Sequence, residues 1–445
     1  MWIHRNSPSY RDEIIDLLHL TILPGFVDTH VHFFLHSYEE TSWNDQVTKE
    51  SLRERTLRAG VHARKTLMAG YTTVRDLANE GAEDADIALR KCLVILPGKK
   101  EPIIVGPRYY CSTRAIASTG SLGPKSNLFP SRSGIEGITG AEVADGIEEC
   151  IKAVRRQIGA GADWIKIYAD YMFRSCMADV SSHIGGSHFP LFTRDELKAM
   201  IDCAHSLGVK VAVHAHTGEM IEQLLELDVD SIEHGAELFD EERGFSLLKK
   251  WAEVGKKTFW VPTLSVYYHI LKWSGSRLSI DWERAQESFK KVLEFRDAEA
   301  AKGRLDAIKI SCGGDTGPFP HGENGLEMAL MRRLGARWED VLSWVTLRGW
   351  ECVRGMEWEG SQGDAKVAQA EAKSEMSEGL NDASKSRLER GVPFGTVRTG
   401  WAADLVGVEG IVDGTVEDFE ETIMHGVRFV MRGGTVYMRD GKEVL

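Results

Sequence analysis

Two histidines near the start of the chain have the spacing of a metal-binding pair. His30 and His32 lie in the segment LPGFVDTHVHFFLH, residues 23–36, and a single valine separates them. On an extended strand, residues two apart project from the same face, so both imidazoles would point to one side and Val31 to the other. A half-buried strand can also carry two histidines for structural reasons, so the His-x-His pair alone leaves both interpretations open.

Four more polar residues lie in or directly after short apolar segments. Lys166 is inside WIKIY, His214 follows VKVAV, His234 follows DSIE, and Asp315 follows IKISCGG. Imidazole and carboxylate ligands suit zinc, with manganese, iron or cobalt as alternatives. A lysine fits among such ligands if its amine is neutral, or if carbon dioxide converts it to a carbamate that bridges two metals. Taken alone, Lys166 is more often a snorkelling or ion-paired residue.

The apolar segments indicate how these residues are positioned. Buried strands are predicted in residues 70–77, 101–110, 162–170, 209–217, 230–235, 257–264 and 308–317. Helical segments alternate with them, most clearly at residues 193–208, where Thr193 and Glu196 form a predicted capping box and Gly208 ends the helix.

About eight strand–helix repeats predict an α/β fold, a (β/α)₈ TIM-like barrel. An open doubly wound sheet is disfavoured because no Gly-x-Gly-x-x-Gly follows the first strand and no Walker A lysine occurs. The carboxyl ends of barrel strands surround the active-site mouth, so the six polar residues are expected to converge there.

Composition excludes several other classes. The 445 residues are 42% hydrophobic and carry a net charge of -13, which argues against a nucleic-acid binder. The seven cysteines show no CxxC spacing, and their odd number favours reduced thiols. The first residues do not resemble a signal peptide, and no run of about 18 apolar residues predicts a membrane span. We expect a cytoplasmic protein with a small-molecule substrate, and a homo-oligomer is left open.

Four regions are predicted along the chain. Residues 1–22 form an N-terminal segment, and residues 23–358 form the barrel. Residues 359–390 are rich in Ser, Ala and charge, which indicates either a solvated helical insertion or a flexible loop. Residues 391–445 read as short strands with glycine turns, a small β unit appended to the barrel.

The ordered motifs resemble those of the amidohydrolase superfamily. GFVDTHVHF, GADWIKIYAD, VAVHAHTGEMIEQLLELDVDSIEHG and CGGDTG occur in the same chain order as the motifs of that superfamily. The sequence is most similar to the imidazolonepropionase-like metal-dependent hydrolases, a subgroup that includes Xaa-Pro dipeptidases and ochratoxin-degrading amidases. GTVRTGWAADLVGVEG is similar to the closing β-sandwich segment of this subgroup. The resemblance implies a metal-dependent amidohydrolase.

The resemblance also implies roles for individual residues. His30, His32 and Asp315 would hold one metal, and His214 and His234 a second, with N6-carboxylated Lys166 bridging them. Two zinc ions per chain are expected, with other divalent metals or a single ion as alternatives. Asp315 would be the catalytic general base for a metal-activated water that cleaves an amide or other C–N bond. Lactone or ester hydrolysis, nonoxidative decarboxylation and a noncatalytic barrel scaffold are the alternatives.

Two departures from the family pattern are relevant. Leu122 stands where related amidases commonly have a histidine after the third strand. If that histidine contacts the substrate carbonyl, either the reaction or the substrate is expected to differ. Only about twenty residues precede the first motif, which predicts an N-terminally truncated β-sandwich domain in which residues 404–408 lack their usual sheet partners.

Loop residues after the predicted strands are weaker candidates for substrate binding. A guanidinium there could bind a substrate carboxylate, and barrel loops shape substrate pockets. Asp28 and Glu233 precede predicted ligands and could orient them, or could pair structurally. The candidate substrate-binding residues are Arg108, Arg114, Leu122, His183, His188 and His216.

Overall fold

The computed structural model describes residues 14–95, 101–121, 140–171, 188–274, 279–374 and 391–445. His183 and Leu122 lie outside these ranges. The strands of the described residues, in chain order, are β1 (Thr21–Pro24), β2 (Phe26–Val31), β3 (Tyr71–Asp76), β4 (Arg108–Cys111), β5 (Ile116–Ala117), β6 (Glu142–Val143), β7 (Trp164–Tyr168), β8 (Asp170–Tyr171), β9 (Phe189–Pro190), β10 (Lys210–Ala215), β11 (Ser231–His234), β12 (Phe259–Val261), β13 (Lys309–Ile310), β14 (Leu405–Val408), β15 (Val427–Arg432), β16 (Thr435–Arg439) and β17 (Lys442–Glu443).

Eight of these strands form a closed parallel barrel. β2, β3 and β4 pair in order, as do β7, β10, β11, β12 and β13. Backbone hydrogen bonds join the two groups: Thr29 N donates to Cys312 O at 3.0 Å, and Asp163 N donates to Cys111 O at 2.8 Å. A parallel bridge between Val31 and Thr316 completes the junction of β2 with β13. The predicted (β/α)₈ barrel is confirmed.

Helices surround the barrel and cover its apolar strands. Leu197, Met200, Ile201 and Ala204 form the buried face of one of them, and its capping box of Thr193 with Glu196 is present as predicted. The helices are α1 (Trp43–Lys49), α2 (Leu52–Met68), α3 (Ala85–Leu93), α4 (Gly146–Ala160), α5 (Arg194–Ser206), α6 (Gly218–Glu226), α7 (Ser246–Val254), α8 (Leu264–Ser274), α9 (Ser279–Ala300), α10 (Leu326–Arg333), α11 (Trp338–Val345), α12 (Leu347–Val353), α13 (Gly360–Ser374) and α14 (Val416–His425).

The small β domain is an antiparallel sheet of five strands in the order β1-β14-β15-β16-β17. The expectation that residues 404–408 lack sheet partners is wrong. β14 pairs with β1 on one side, with Leu23 opposite Val406, and with β15 on the other. The segment before the first motif supplies β1, because it is extended and directly precedes β2.

The predicted insertion at residues 359–390 begins as a helix. α13 spans Gly360–Ser374, and residues 375–390 lie outside the described part of the chain. Among the described residues, no helix combines the length and apolarity needed to cross a bilayer.

Candidate metal centre

The six predicted ligands come from five strands or the segments that follow their carboxyl ends. His30 is in β2 and His32 directly follows it, Lys166 lies within β7, His214 in β10, and His234 ends β11. Asp315 follows β13. All six side chains are buried. The barrel therefore brings them together at one end, because parallel strands have their carboxyl ends on the same side.

His30, His32 and Asp315 form the first group of potential ligands. Asp315 Oδ1 lies 3.0 Å from His32 Nε2 and 3.6 Å from His30 Nε2. Burial raises the pKa of the Asp315 carboxyl, but the two adjacent imidazoles outweigh it and hold that pKa far below its usual range. Asp315 is therefore a carboxylate at neutral pH, as a metal ligand must be.

The other nitrogens of these imidazoles are fixed by hydrogen bonds within the barrel. His30 Nδ1 donates to Glu233 Oε2 at 2.8 Å, and His32 Nδ1 donates to Ala78 O at 2.8 Å. Both rings therefore direct Nε2 toward Asp315. Metal-ligating histidines commonly have this arrangement, in which the second nitrogen donates to a carboxylate or carbonyl.

Glu233 is itself held by a buried arginine. Arg75 Nη2 donates to Glu233 Oε1 at 2.8 Å, and Arg75 Nε donates to Thr29 O at 2.7 Å. Burial acts to raise the pKa of Glu233, but Arg75 and His30 lower it to about 2. The permanent charge on Glu233 keeps the Nδ1 proton on His30, which leaves Nε2 free to bind a metal.

The segment that carries Asp315 passes very close to β2. A Cβ on Gly313 would lie 2.8 Å from His30 N and 2.7 Å from Val261 Cγ1. Any larger residue would push this segment away from the histidines. Asp315 has a φ of 60°, a left-handed conformation that is uncommon for a residue with a side chain. Such strain is often found at functional sites.

His214, His216 and His234 form the second group. His234 also has a positive φ, 74°, and its Nδ1 lies 2.8 Å from Thr263 Oγ1. Its ring centroid is 4.2 Å from that of His214 and 5.3 Å from that of His30. The two groups are therefore adjacent. Burial first, and then neighbouring positive charges, lower the pKa of His214 and His234 well below the ordinary value, so both rings are neutral, as a metal would require.

Lys166 adjoins both groups. Burial lowers its pKa to about 8, and its charge in turn contributes to the lowered pKa of His30, His214 and His234. Its Nζ forms no hydrogen bond with any described residue, although it lies 5.7 Å from the centre of the Tyr168 ring. A buried amine nearly always has a hydrogen-bond partner, so an unpaired one requires an explanation.

These residues fit a pair of divalent cations. Within each group of three, one ligand atom per residue lies within 4.8 Å of the others. Two buried atoms, His214 Nε2 and Lys166 Nζ, have no hydrogen-bond partner among the described residues. Imidazole nitrogen and carboxylate oxygen are donors that zinc accepts. The orphaned atoms are those that a metal and a carbamate would use.

Only some of the candidate substrate-binding residues lie near the two groups. The ring of His188 stacks on that of His216 with centroids 4.1 Å apart, and Tyr267 Oη lies 3.2 Å from His216 Nδ1, so His188 and His216 adjoin the site. Arg114 is half-buried in the loop after β4. Leu122 and His183 are not described.

The placement of Arg108 at the mouth of the barrel is wrong. Arg108 is the first residue of β4 and therefore lies at the opposite end of that strand. Its guanidinium donates to Asp404 Oδ2 at 2.6 Å and to Thr73 Oγ1 at 2.9 Å. The strand begins later than the apolar pattern of residues 101–110 indicated, so this arginine supports the barrel base rather than the mouth.

Several residues near the centre were not found by sequence reasoning. Arg75 and Glu80 lie in or just after YTTVRD, where a buried strand with charged residues was a usable signal. Tyr168, Thr263 and Tyr267 carry no such signal, because tyrosine and threonine are ordinary at strand ends and helix starts.

The chain is a parallel (β/α)₈ barrel with two groups of potential metal ligands at one end, and comparison with known proteins identifies its family. The model described as Amidohydrolase family matches residues 21–355. This chain belongs to the amidohydrolase family, which confirms the resemblance found in its motifs.

Individual relatives are more distant. The chain is 28% identical to ochratoxinase of Aspergillus niger over 315 residues, which covers 67% of this chain and 58% of that protein. It therefore spans less than two thirds of this curated relative. It is similar to a crystal structure of a Xaa-Pro dipeptidase with bound methionine, with 26% identity, a TM-score of 0.67, and coverage of 98% of this chain and 91% of that one. The crystal structure of A. niger ochratoxinase has a TM-score of 0.65 at 23% identity, covering 94% of this chain and 83% of that one, and shares the fold.

Proposed function

We propose that this protein is a metal-dependent hydrolase that cleaves an amide or other C–N bond in a small-molecule or dipeptide-like substrate. The observation that carries the proposal is the pairing of two three-residue ligand groups next to a buried lysine whose amine has no hydrogen-bond partner among the described residues. The relatives named ochratoxinase and Xaa-Pro dipeptidase, together with membership of the amidohydrolase family, support hydrolysis at a C–N bond.

His30, His32 and Asp315 would hold one divalent ion, and His214 and His234 the other, with zinc as the preferred metal. Bound metals of this kind lower the pKa of water toward neutrality and polarise a substrate carbonyl. Asp315 is ionised at neutral pH, so its carboxylate can accept the proton of the attacking water and return it to the leaving amine. No serine or cysteine nucleophile is required.

Lys166 would act as a carbamate that links the two ions. Only a neutral amine reacts with carbon dioxide, and burial lowers the pKa of Lys166 to about 8, which increases its neutral fraction near physiological pH. Conversion to the carbamate would replace the ammonium of Lys166 with an anion, which two neighbouring divalent cations would stabilise. This change explains why the lysine can be buried among the ligands.

Metal analysis combined with hydrolysis assays tests the proposal. Protein purified without chelator should contain about two zinc or other divalent ions per chain, and bicarbonate should be needed to reload the stripped protein fully. Lys166→Ala and His214→Asn should each lower the metal content. His425→Asn, at an exposed position in α14, is the matched control and should not.

Asp315→Asn should lower the hydrolysis of a panel of dipeptides, N-acyl amino acids and cyclic amides by about 100-fold or more. Hydrolysis of esters or lactones alone would assign the centre to those bonds instead. Metal content near zero, with no gain on adding zinc and bicarbonate, would refute the metal-dependent mechanism.

A further inference from the structure

Thr263 places a buried hydroxyl beside the second group of ligands. It lies two residues after β12, at the end of the barrel where the six predicted ligands meet. The residue is completely buried, and its Oγ1 lies 2.8 Å from Nδ1 of His234. A histidine that binds a metal through one ring nitrogen commonly has the other nitrogen fixed by a hydrogen bond. Thr263 therefore occupies the position of the group that would orient His234.

The backbone at this contact is in an unfavourable conformation. Thr263 has a φ of 50° and His234 a φ of 74°, in the left-handed region that residues with side chains rarely adopt. For threonine the cost is greater, because its side chain branches at Cβ. Such a conformation persists only where surrounding contacts hold it. The chain on both sides of Thr263 must therefore be held in place.

A neighbouring carboxylate holds the backbone that follows Thr263. α8 begins at Leu264, directly after Thr263. Leu264 N donates to Glu327 Oε1 at 3.0 Å, and Ser265 N and Oγ donate to Oε2 at 2.7 Å and 2.8 Å. Glu327 is completely buried, so water does not compete for these bonds. The first turn of α8 is therefore attached to α10, which carries Glu327.

Glu327 also provides the cap that a threonine at this position usually provides. A threonine directly before a helix commonly accepts a hydrogen bond from the N–H of the second or third helical residue. In this protein the N–H of Ser265, the second residue of α8, is bound by Glu327 instead. The hydroxyl of Thr263 is therefore available to His234, and the start of the helix keeps a partner.

The main chain of His234 is fixed separately from its ring. Trp260 Nε1 donates to His234 O at 2.9 Å, and Gly235 N donates to Ala215 O at 2.9 Å. These two bonds restrain the main chain, but an imidazole can still rotate about its side-chain torsions. The hydrogen bond with Thr263 restrains that rotation.

We propose that Glu327 and Thr263 are positioning residues for the ion that His214 and His234 would hold. Glu327 holds the start of α8, and Thr263 accepts the Nδ1 proton of His234, which leaves Nε2 of that ring free to bind the ion. The inference rests on the proposed function, because it concerns the second ion of the proposed centre. Both residues act through His234 and not on the substrate itself.

Thr263→Val tests the role of the hydroxyl, because it removes the oxygen and keeps the shape of the side chain. Titration of zinc against a competing chelator resolves the two binding steps, and the step that His214→Asn weakens belongs to the second ion. We expect Thr263→Val to weaken that step by about 10- to 100-fold and to change the other by less than about threefold. Thr263→Ser restores the hydroxyl and should return the affinity to within about threefold of the wild type.

Thr258→Val is the matched control. Thr258 directly precedes β12 at its opposite end, is completely buried, and donates from Oγ1 to Val229 O at 2.7 Å. This variant loses a buried hydrogen bond, so urea unfolding should show lower stability, but both zinc affinities should stay unchanged. Unchanged affinity for the second ion in Thr263→Val, equal weakening of both ions, or an equal loss in Thr258→Val would overturn the proposal.

Glu327→Gln tests the contribution of the carboxylate. Its amide group cannot accept hydrogen bonds at both positions, so the start of α8 is held less firmly. The affinity for the second ion should fall by about 10-fold, with a smaller further fall when Thr263→Val is already present, since both residues act through His234. The exposed Glu339→Gln is the control. Additive losses in the double variant, or no loss in Glu327→Gln, would overturn the role of Glu327.

NMR of the metal-free protein carrying isotope-labelled histidine separates this inference from the hydrolytic function. The His234 resonances are those that His234→Asn lacks. The ring proton should lie on Nδ1 in the wild type and be shared between both nitrogens in Thr263→Val. This result in a protein that binds no zinc would refute the proposed function and support the role of Thr263. A proton on Nε2 in the wild type, or the same tautomer in both proteins, would overturn that role, whatever metal the protein binds.

Discussion

At the residue scale, the candidate centre depends on a buried chain of charged groups behind the ligands. His30 donates to Glu233, and Glu233 accepts from Arg75, with all three side chains almost completely buried. The His30 ring therefore has a fixed orientation without a metal. Such preorganisation is necessary because an imidazole that rotates freely loses affinity for the ion.

Glu233→Gln should weaken metal binding by about 10- to 100-fold, because His30 loses the anion that fixes its tautomer. The same change leaves the buried Arg75 charge without its partner, which should lower the free energy of unfolding of the metal-free protein by about 3–5 kcal/mol. Chelator competition measures the affinity, and urea unfolding measures the stability.

Glu241→Gln is the control for this prediction, because Glu241 is exposed. Unchanged zinc affinity in a folded Glu233→Gln protein would show that Glu233 does not orient the ligand.

At the element scale, helix packing fixes the positions of the strands. α12 lies directly against β2, and a Cβ on Gly349 would lie 2.5 Å from Val27 Cβ. Glu327 of α10 joins another helix to the site. It accepts hydrogen bonds from Leu264 N at 3.0 Å and Ser265 N at 2.7 Å, at the start of α8 and directly after Thr263.

Gly349→Ala should destabilise the protein by about 1–3 kcal/mol, because the added methyl group overlaps a side-chain atom that cannot move away without shifting β2. Gly159→Ala is the matched control within α4, where an added Cβ meets no atom within 4 Å. The control should stabilise the protein by about 0.5–1 kcal/mol, since glycine is a poor helix former. Urea unfolding of both variants checks the prediction, and a loss of stability in both would contradict it.

Glu327 should make stability dependent on pH. Burial raises its pKa from 4.5 to about 8, so between these values the folded state keeps a proton that the unfolded state has lost. This group therefore lowers the free energy of unfolding as pH rises through that window, by up to about 1.4 kcal/mol per pH unit. Glu327→Gln removes the contribution, so its stability should fall less than that of the wild type between pH 5 and pH 8.

Urea unfolding at pH 5, 6, 7 and 8 measures this difference, with the exposed Glu339→Gln as control. Parallel curves for the wild type and Glu327→Gln would contradict the predicted shift.

At the scale of the whole molecule, the two ends of the described chain meet at the base of the barrel. β1 pairs with β14, and Gly25 N donates to Asp404 O at 2.8 Å. The Arg108–Asp404 ion pair, 2.6 Å long and almost fully buried, joins barrel strand β4 to the segment before β14. The small sheet therefore stabilises the end of the barrel opposite the site.

Arg108→Met should lower the free energy of unfolding by about 3–5 kcal/mol, because it leaves the buried Asp404 carboxylate without a counter-charge. Asp404→Asn should lower the free energy of unfolding less in the Arg108→Met protein than in the wild type, since the two residues interact. Urea unfolding of the single and double variants gives the coupling energy. Arg64→Met, which breaks an exposed pair with Glu443, is the control and should cost about 0–1 kcal/mol. Equal losses of unfolding free energy in Arg108→Met and Arg64→Met would show that burial of the Arg108–Asp404 pair does not increase its contribution to stability.

Local sequence patterns predicted much of the fold and of the candidate site. The apolar segments predicted the parallel barrel, and their polar carboxyl ends predicted that His30, His32, Lys166, His214, His234 and Asp315 would meet, as they do. This inference succeeds because strand periodicity and the geometry of a parallel barrel together fix which end each residue occupies.

Strand boundaries, long-range strand pairing and loop conformation could be read only from the tertiary structure. Arg108 was misplaced because an apolar run does not show where a strand begins. One partner of β14 is the strand β1, which lies nearly 400 residues away in sequence. The loop after β3 has a left-handed backbone at Glu80, whose carbonyl accepts from Arg55, and no local sequence pattern encodes that conformation. Sequence periodicity specifies which face a strand residue occupies, whereas loop conformation and long-range pairing depend on contacts that form only when the barrel closes.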